Sequence, residues 1–405
     1  MFGTQRGLFL SRLRAVSAAV APQATARPSL STIAREWGRI GCLGFGGPPV
    51  HIALLRDLCV TRRRWIRDRE FEDTVAAVNL LPGPASTQLA IACAHRLRGR
   101  TGALVGGAAF ILPGLALILL LAAAFLAGDP PRWLRGAGAG AGAAVAAVAV
   151  RAGVDLIKPS WARAAPRRGP LLAYILLGAI SAATVGPFLV LVLLACGVVS
   201  LALKRGTGLA AITPAPVALL LAAVASTGGL GALAWTAFKV GALSYGGGFV
   251  IIPLMQADAV TQHHWMTDGQ FLNAVALGQV TPGPVVQTVA VVGYAAAGVG
   301  GGLLAALVAF SPSFLFVVVG ANRFHALLAN RAVRAFIDGA APAALGAILG
   351  SAIPLALALS EPWQLAVLAA AATALLLLRR GVVATLVAAG GVGAAAALAG
   401  ASLPG

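Results

Sequence analysis

Charge is scarce in this sequence, and negative charge is scarcer still. Only 10% of its 405 residues are Asp, Glu, Lys or Arg, and 12 acidic residues stand against 30 basic ones. With 59% hydrophobic residues, a soluble domain of this length would lack the polar surface it needs. Cysteine is equally thin: Cys42, Cys59, Cys93 and Cys196 fall in or beside apolar segments and none pair at metal-ligand spacing. They read as small buried hydrophobes, with no disulfide framework, no metal and no cofactor implied. No GxxxxGK[ST] motif occurs, and the glycines at 44–47 do not form GxGxxG. Direct drive by ATP is therefore disfavoured, which leaves a secondary transporter or channel. The net charge of +18 lacks an amphipathic basic face with interleaved aromatics. The basic residues sit in short loops between apolar segments, so they read as topology signals, with no nucleic-acid partner.

What is present is apolar length, glycine (50) and proline (23). Stretches 102–128 and 362–378 carry no charge and suffice for about 30 Å of hydrocarbon, so the bilayer itself is the expected partner. Only helices satisfy their own backbone in an open-chain membrane protein of this pattern, so the expected class is an all-α integral membrane protein. Residues 1–30 carry Arg6, Arg12, Arg14 and Arg27 without an acidic residue. Arg12 and Arg14 interrupt any signal-like apolar core, so this segment is expected to be a basic N-terminal tail.

The chain repeats itself at an offset of 200. Gly41, Leu43, Gly46 and Gly47 fall on Gly241, Leu243, Gly246 and Gly247, and Trp65, Asp68 and Phe71 fall on Trp265, Asp268 and Phe271. Pro82-Gly83-Pro84 falls on Pro282-Gly283-Pro284. Alanine-, leucine- and glycine-rich runs match by chance; an aligned Trp, Asp, Phe and Pro-Gly-Pro do not. The loops, in contrast, differ. The first copy has Arg56, Arg62, Arg63, Arg64, Arg67 and Arg69, whereas 256–269 has no Lys or Arg. Basic loops stay inside, so two inverted repeats are expected. Segment 71–95 is basic on both flanks and 271–297 on neither, and Pro-Gly-Pro interrupts each. Both are expected to be re-entrant, as are the Gly-Gly segments at 31–55 and 229–255; full spanning of the broken segments is the alternative, and it puts several arginines outside. The resulting plan is a tail at 1–30, a first repeat at 31–205, a linking transmembrane helix at 206–228 and a second repeat at 229–405. Arg132 and Arg135 are the basic residues that this topology places on the wrong side.

The breaks are where chemistry is expected. Phe45, Gly46, Gly47 and Pro48 form one break, matched by Tyr245, Gly246 and Gly247. The Pro-Gly-Pro pair forms the other, followed by Ser86 and Thr87 in one copy and Gln287 and Thr288 in the other. A half-helix that starts at midplane turns its positive end and free N–H groups toward a cavity, which suits an anion. Tight helix packing with capping hydroxyls is the alternative for any one break. Arg39 aligns with Lys239, and a cation from each copy would face a dianion across a pseudo-two-fold axis. Snorkelling to the interface is the other reading of this pair. Asn79 and Gln279 align just before the Pro-Gly-Pro motifs as polar ligands. His51 reads as structural, and Ser244 has no partner histidine at its depth, which disfavours an intramembrane enzyme.

These breaks, with Trp65 and Trp265 at their spacings, resemble the chromate ion transporter family, in its long two-domain form. The resemblance runs from about residue 31 onward, with Gly248 standing where the first copy has Pro48. It implies a secondary active antiporter that exports chromate across the cytoplasmic membrane of a bacterium and confers resistance. Sulfate or another small oxyanion fits the same charge and geometry. The sequence leaves a homodimer open.

Overall fold

The computed structural model describes residues 27–81, 83–126, 128, 130–163, 168–184, 189–205, 229–244, 251–320 and 330–404. The N-terminal tail up to residue 26, the linking segment 206–228, Pro82 and Tyr245, Gly246 and Gly247 lie outside these residues. Every regular element among the described residues is helical. The first repeat runs α1 (Leu30–Leu43), α2 (Pro48–Arg56), α3 (Asp68–Leu80), α4 (Ala85–Leu126), α5 (Arg132–Ala143), α6 (Val145–Arg163), α7 (Arg168–Thr184) and α8 (Leu189–Arg205). The second runs α9 (Leu230–Leu243), α10 (Ile251–Gln256), α11 (Asp268–Val280), α12 (Thr288–Gly320), α13 (Arg331–Leu357), α14 (Pro362–Ala372) and α15 (Val382–Leu398). Four helical stretches are long and apolar enough to cross a membrane: Ala85–Leu126, Arg132–Ile157, Val285–Gly320 and Arg331–Leu357. Their outward faces are apolar, with Leu120, Leu307 and Leu357 exposed, as lipid contact requires.

The duplication extends to details of the backbone. A wide π-helical turn follows α2 at Asp57–Arg62 and α10 at Ala257–Gln262, and Arg64 and His264 behind these turns both have φ 50°. α4 bends at Arg98 and Gly99, where Gly99 has φ 62° and ψ −149°. α12 bends at Ala297 and Gly298, where Gly298 has φ 62° and ψ −156°. Beyond each bend the chain turns back on its own helix: Gly106 lies on Ala94 and Gly107 on Ile91, while Gly302 lies on the Ala290 carbonyl.

The broken segments are hairpins. α1 has 14 residues, or about 21 Å, too short to cross. If α2 continued in the same direction, Glu36 and Arg63 would stand about 40 Å apart at 1.5 Å per residue. Instead they are ion-paired at 2.7 Å, so α1 and α2 fold back at Gly44–Gly47 and open on one side. In the second repeat Thr236 on α9 reaches Asp258 beyond α10 at 2.6 Å, which gives the same geometry. Glu70 and Arg96 pair across the Pro-Gly-Pro tip of α3 and α4, so that pair is a hairpin as well.

The two repeats interlock. α13 packs on α7 and α8, and α15 packs on α5, so each half is completed by helices of the other. Small residues make these contacts close: Gly136 and Gly140 lie on Gly393, and Gly346 lies on the Ile175 carbonyl. The outgoing arms of α4 and α12 run antiparallel, because Gly107 meets Phe314 while Leu119 meets Gly302. Arg132 also finds its explanation in the fold. Its guanidinium donates to the carbonyls of Ala397 and Ala401 at 2.9 Å each, so it caps the C-terminus of α15.

Candidate functional site

Two reciprocal main-chain hydrogen bonds tie the breaks of one repeat to those of the other. Gly83 N–H donates to the Ser244 carbonyl at 3.1 Å, and Gly283 N–H donates to the Gly44 carbonyl at 3.0 Å. Each Pro-Gly-Pro tip therefore docks on the Gly-rich break of the opposite half. The geometry needs glycine, because Gly83 has φ 116° and Gly283 has φ 98°. Pro84 and Pro284 then open the next helical turn, where a missing N–H costs little. Gly47 is buried with φ 77°, and a Cβ there would stand 3.8 Å from Val285 Cγ2, which brings the first break against the second tip. α4 completes the crossover from the side: at Gly114 it approaches the Pro282 carbonyl and the Gln287 amide so closely that no side chain fits.

Buried polar atoms collect on these elements. Ser86, Thr87, Gln279, Gln287, Thr288 and Ser244 are all buried. Some are committed: Gln287 Nε2 donates to the Pro282 carbonyl at 2.8 Å, and Thr288 Oγ1 donates to the Val285 carbonyl at 2.7 Å. Others have no partner, namely Thr87 Oγ1, Ser244 Oγ, Gln279 Nε2, Gln287 Oε1 and Ser313 Oγ. Ser313 stands one residue past Pro312 as Gly114 stands one past Pro113, so the two occupy equivalent places on α12 and α4. A buried hydroxyl or amide without a partner costs about 1–3 kcal/mol. Five of them near one backbone crossover, beside two fresh helix starts, form a place where a polar guest would be stabilised.

The remaining residues expected at the site divide. Gly83, Pro84, Pro282, Gly283 and Pro284 lie at the crossover and are buried. Phe45 and Gly46 are exposed, and Pro48 is half-buried. Asn79 is exposed while Gln279 is buried, so the aligned amides are not equivalent. The paired cations also differ from expectation. Arg39 is exposed on α1. Lys239 is buried but not a free charge, because it is ion-paired with Asp258 and its ammonium lies 5.7 Å from the Trp235 ring. Comparison of the repeats hides Asp258, since the first copy has Leu58 there. His51 is structural as expected: its Nε2–H donates to the Gly44 carbonyl at 2.9 Å, the same oxygen that receives Gly283, and its ring meets Phe110 edge-on at 5.0 Å.

Comparison with known proteins meets this geometry at the same two places in the chain. The family model described as chromate transporter matches residues 31–201 and again 231–400. A chromate transport protein of Cupriavidus metallidurans is 33% identical over 335 residues, covering 78% of this chain and 80% of that protein. One from Pseudomonas aeruginosa is 32% identical over 347 residues, covering 80% of each. A probable chromate transport protein of Synechococcus elongatus is 29% identical over 340 residues, covering 81% of this chain and 84% of that protein. No solved structure matches. Both halves of the family match coincide with the two hairpin-bearing repeats, and the chain belongs to the chromate transporter family.

Proposed function

We propose that this chain is a secondary active transporter that exports chromate, and that the anion binds at the crossover of the four hairpin tips. The carrying observation is the reciprocal pair of hydrogen bonds, Gly83 to Ser244 and Gly283 to Gly44, with unpartnered buried polar atoms around it. Chromate is a tetrahedral dianion. It wants N–H and O–H donors from several directions in a dry site, which helix starts and hydroxyls on two opposed hairpin tips supply. The names carried by three relatives support chromate as the substrate. No ammonium or guanidinium is placed at the crossover in this reading, so binding rests on backbone N–H, the hydroxyls of Thr87 and Ser244 and the free amide nitrogen of Gln279.

Inversion of the repeats in the membrane belongs to the same proposal. It is supported by the antiparallel arms of α4 and α12 and by the arginines at the base of the first repeat's hairpins, absent from the second's. Tips entering from opposite faces give alternating access a shared centre about which one repeat rocks against the other. The bacterial cytoplasmic membrane is the location this reading requires. The test is direct. Cells carrying the protein should hold less labelled chromate and survive higher doses than cells without it, with sulfate competing if tetrahedral shape and charge set selectivity. Equal accumulation in the two strains refutes export.

A further inference from the structure

The two junctions of the crossover are built from equivalent residues but are not alike. Beyond the tips the repeats match at an offset of 199: Gly99 with Gly298 at the bends, and Pro113 with Pro312 in the outgoing arms. Gln88 and Gln287 match in the same way, since a Cβ at Gly83 would meet the one amide and a Cβ at Gly283 the other. Thr87 then corresponds to Val286 and Ser313 to Gly114, while Ser244 corresponds to Gly44 at the breaks. The junction of the first tip has three hydroxyls where the junction of the second has none.

Packing brings these hydroxyls together. α9 meets α12 where Gly241 lies on the Ala309 carbonyl, as Gly41 lies on that of Phe110 in the first repeat. The helices run parallel there, because Ile33 and Trp37 lie on Gly106 before Gly41 reaches Phe110. Ser244 and Ser313 each follow the contact by about one turn, so they stand at the same level. Thr87 arrives on α4. Ile91 and Val317 share one small apolar cluster, with Phe314 packed on it. The arm of α4 before its bend runs parallel to this part of α12, since both are antiparallel to the arm of α4 beyond the bend. One turn nearer the tip, the facing positions are Thr87 and Ser313.

Thr87, Ser244 and Ser313 are each 0% exposed, and none of the three oxygens has a partner. A buried hydroxyl without a partner is destabilising, and the fold itself does not call for one, because Val286, Gly44 and Gly114 serve at the mirror junction. That junction is filled instead. His51 donates to the Gly44 carbonyl, and α4 at Gly114 is pressed on the Pro282 carbonyl. The second tip also spends its polar groups on itself: Gln287 Nε2 donates to the Pro282 carbonyl, Thr281 Oγ1 to that of Leu277 and Thr288 Oγ1 to that of Val285. Gln279 Nε2 is its one uncommitted side-chain donor among the described residues.

We propose that each chain binds one oxyanion, off the pseudo-two-fold axis, where the first Pro-Gly-Pro tip meets the break of the second repeat. Ser313 is a specificity-determining contact there beside Thr87 and Ser244, and the mirror junction binds no anion. This rests on the transport reading above. Three O–H donors around one point suit three oxygens of a tetrahedral dianion. Thr87 comes from one repeat and the two serines from the other, so the donor set is complete only while the repeats are closed at this junction.

Equilibrium binding of radiolabelled chromate to the full chain in detergent should saturate at one anion per chain. Thr87→Val, which installs the mirror residue, and Ser313→Ala should each weaken binding about ten- to a hundredfold, as expected for one hydrogen bond to a charged group. The melting temperature of each variant without chromate should hold or rise, because an unpartnered hydroxyl has been removed. Val286→Thr should leave both the affinity and the count of one unchanged. Two anions per chain overturn the proposal, and so does unchanged affinity in Thr87→Val or Ser313→Ala. A lower melting temperature without chromate in either variant overturns it too, by making the hydroxyl structural. Weakening in Val286→Thr to match that in Thr87→Val would put the anion on the axis and is equally fatal. Absence of chromate binding to the unaltered protein defeats the transport reading instead.

Discussion

Gly83 and Gly283 carry the strictest local demand in the site, because each must donate its N–H across the repeat boundary at a φ near or above 100°. Non-glycine residues held in such backbone conformations cost about 1–3 kcal/mol. A methyl at Gly83 also meets the Gln88 amide, which is the far end of a flexible side chain and can give way. Backbone strain thus outweighs crowding at this position. Gly83→Ala and Gly283→Ala should each lower the melting temperature of the purified protein and remove chromate resistance at normal protein level. Wild-type resistance in either variant would detach the crossover from function. These positions were legible in the sequence, because Pro-Gly-Pro breaks a helix for reasons confined to its own three residues. Asp258 was not. Its partnership with Lys239 depends on how α9 and α10 fold together, and an alignment at the repeat offset shows only a leucine opposite it.

At the level of elements, hairpins rather than single helices are the units of this fold, and the bend between Leu97 and Thr101 decides where the last arm goes. Gly99, with φ 62° and ψ −149°, occupies a region open essentially to glycine alone, yet a Cβ there would meet nothing within 4 Å. Gly99→Ala therefore isolates backbone strain from crowding. It should destabilise by about 1–3 kcal/mol. Gly391→Ala, also without neighbours within 4 Å but in the middle of α15, should stabilise by roughly 0.5–1 kcal/mol. Thermal melts of the two variants in detergent check the pair, and equal shifts would show that the bend is not strained. The sequence located the Pro-Gly-Pro tips but not these bends, since glycine is common throughout the chain. It also paired Asn79 with Gln279, although α11 is covered by α5 and α15 while α3 packs chiefly on α4. Burial of an aligned residue follows from its neighbours, which the repeat does not share.

For the whole molecule, the repeats are related in sequence but not separable in space. α13 fills against α7 and α8, and α15 against α5, so the apolar faces of each repeat are covered largely by the other. That interlock holds the two sets of tips together while their bases point away from each other, as the antiparallel arms of α4 and α12 indicate. Charge then has a role at this scale alone. In the proposed inversion, the arginines from Arg56 to Arg69 and at Arg96, Arg98 and Arg100 would hold one set of bases on the cytoplasmic side, and the second set, whose loops at 256–269 and 296–300 have no Lys or Arg, would face outward. Single cysteines test the arrangement in a background lacking Cys42, Cys59, Cys93 and Cys196. Thr61 and Thr261 occupy equivalent, exposed places on the two π-helical turns, so a thiol at either is open to reagent. A membrane-impermeant maleimide added to intact cells should label Thr261→Cys and spare Thr61→Cys, and permeabilisation should expose both. Labelling of both from outside would place the two sets of bases on one face, and the tips could then not meet as opposed halves of a shared anion site.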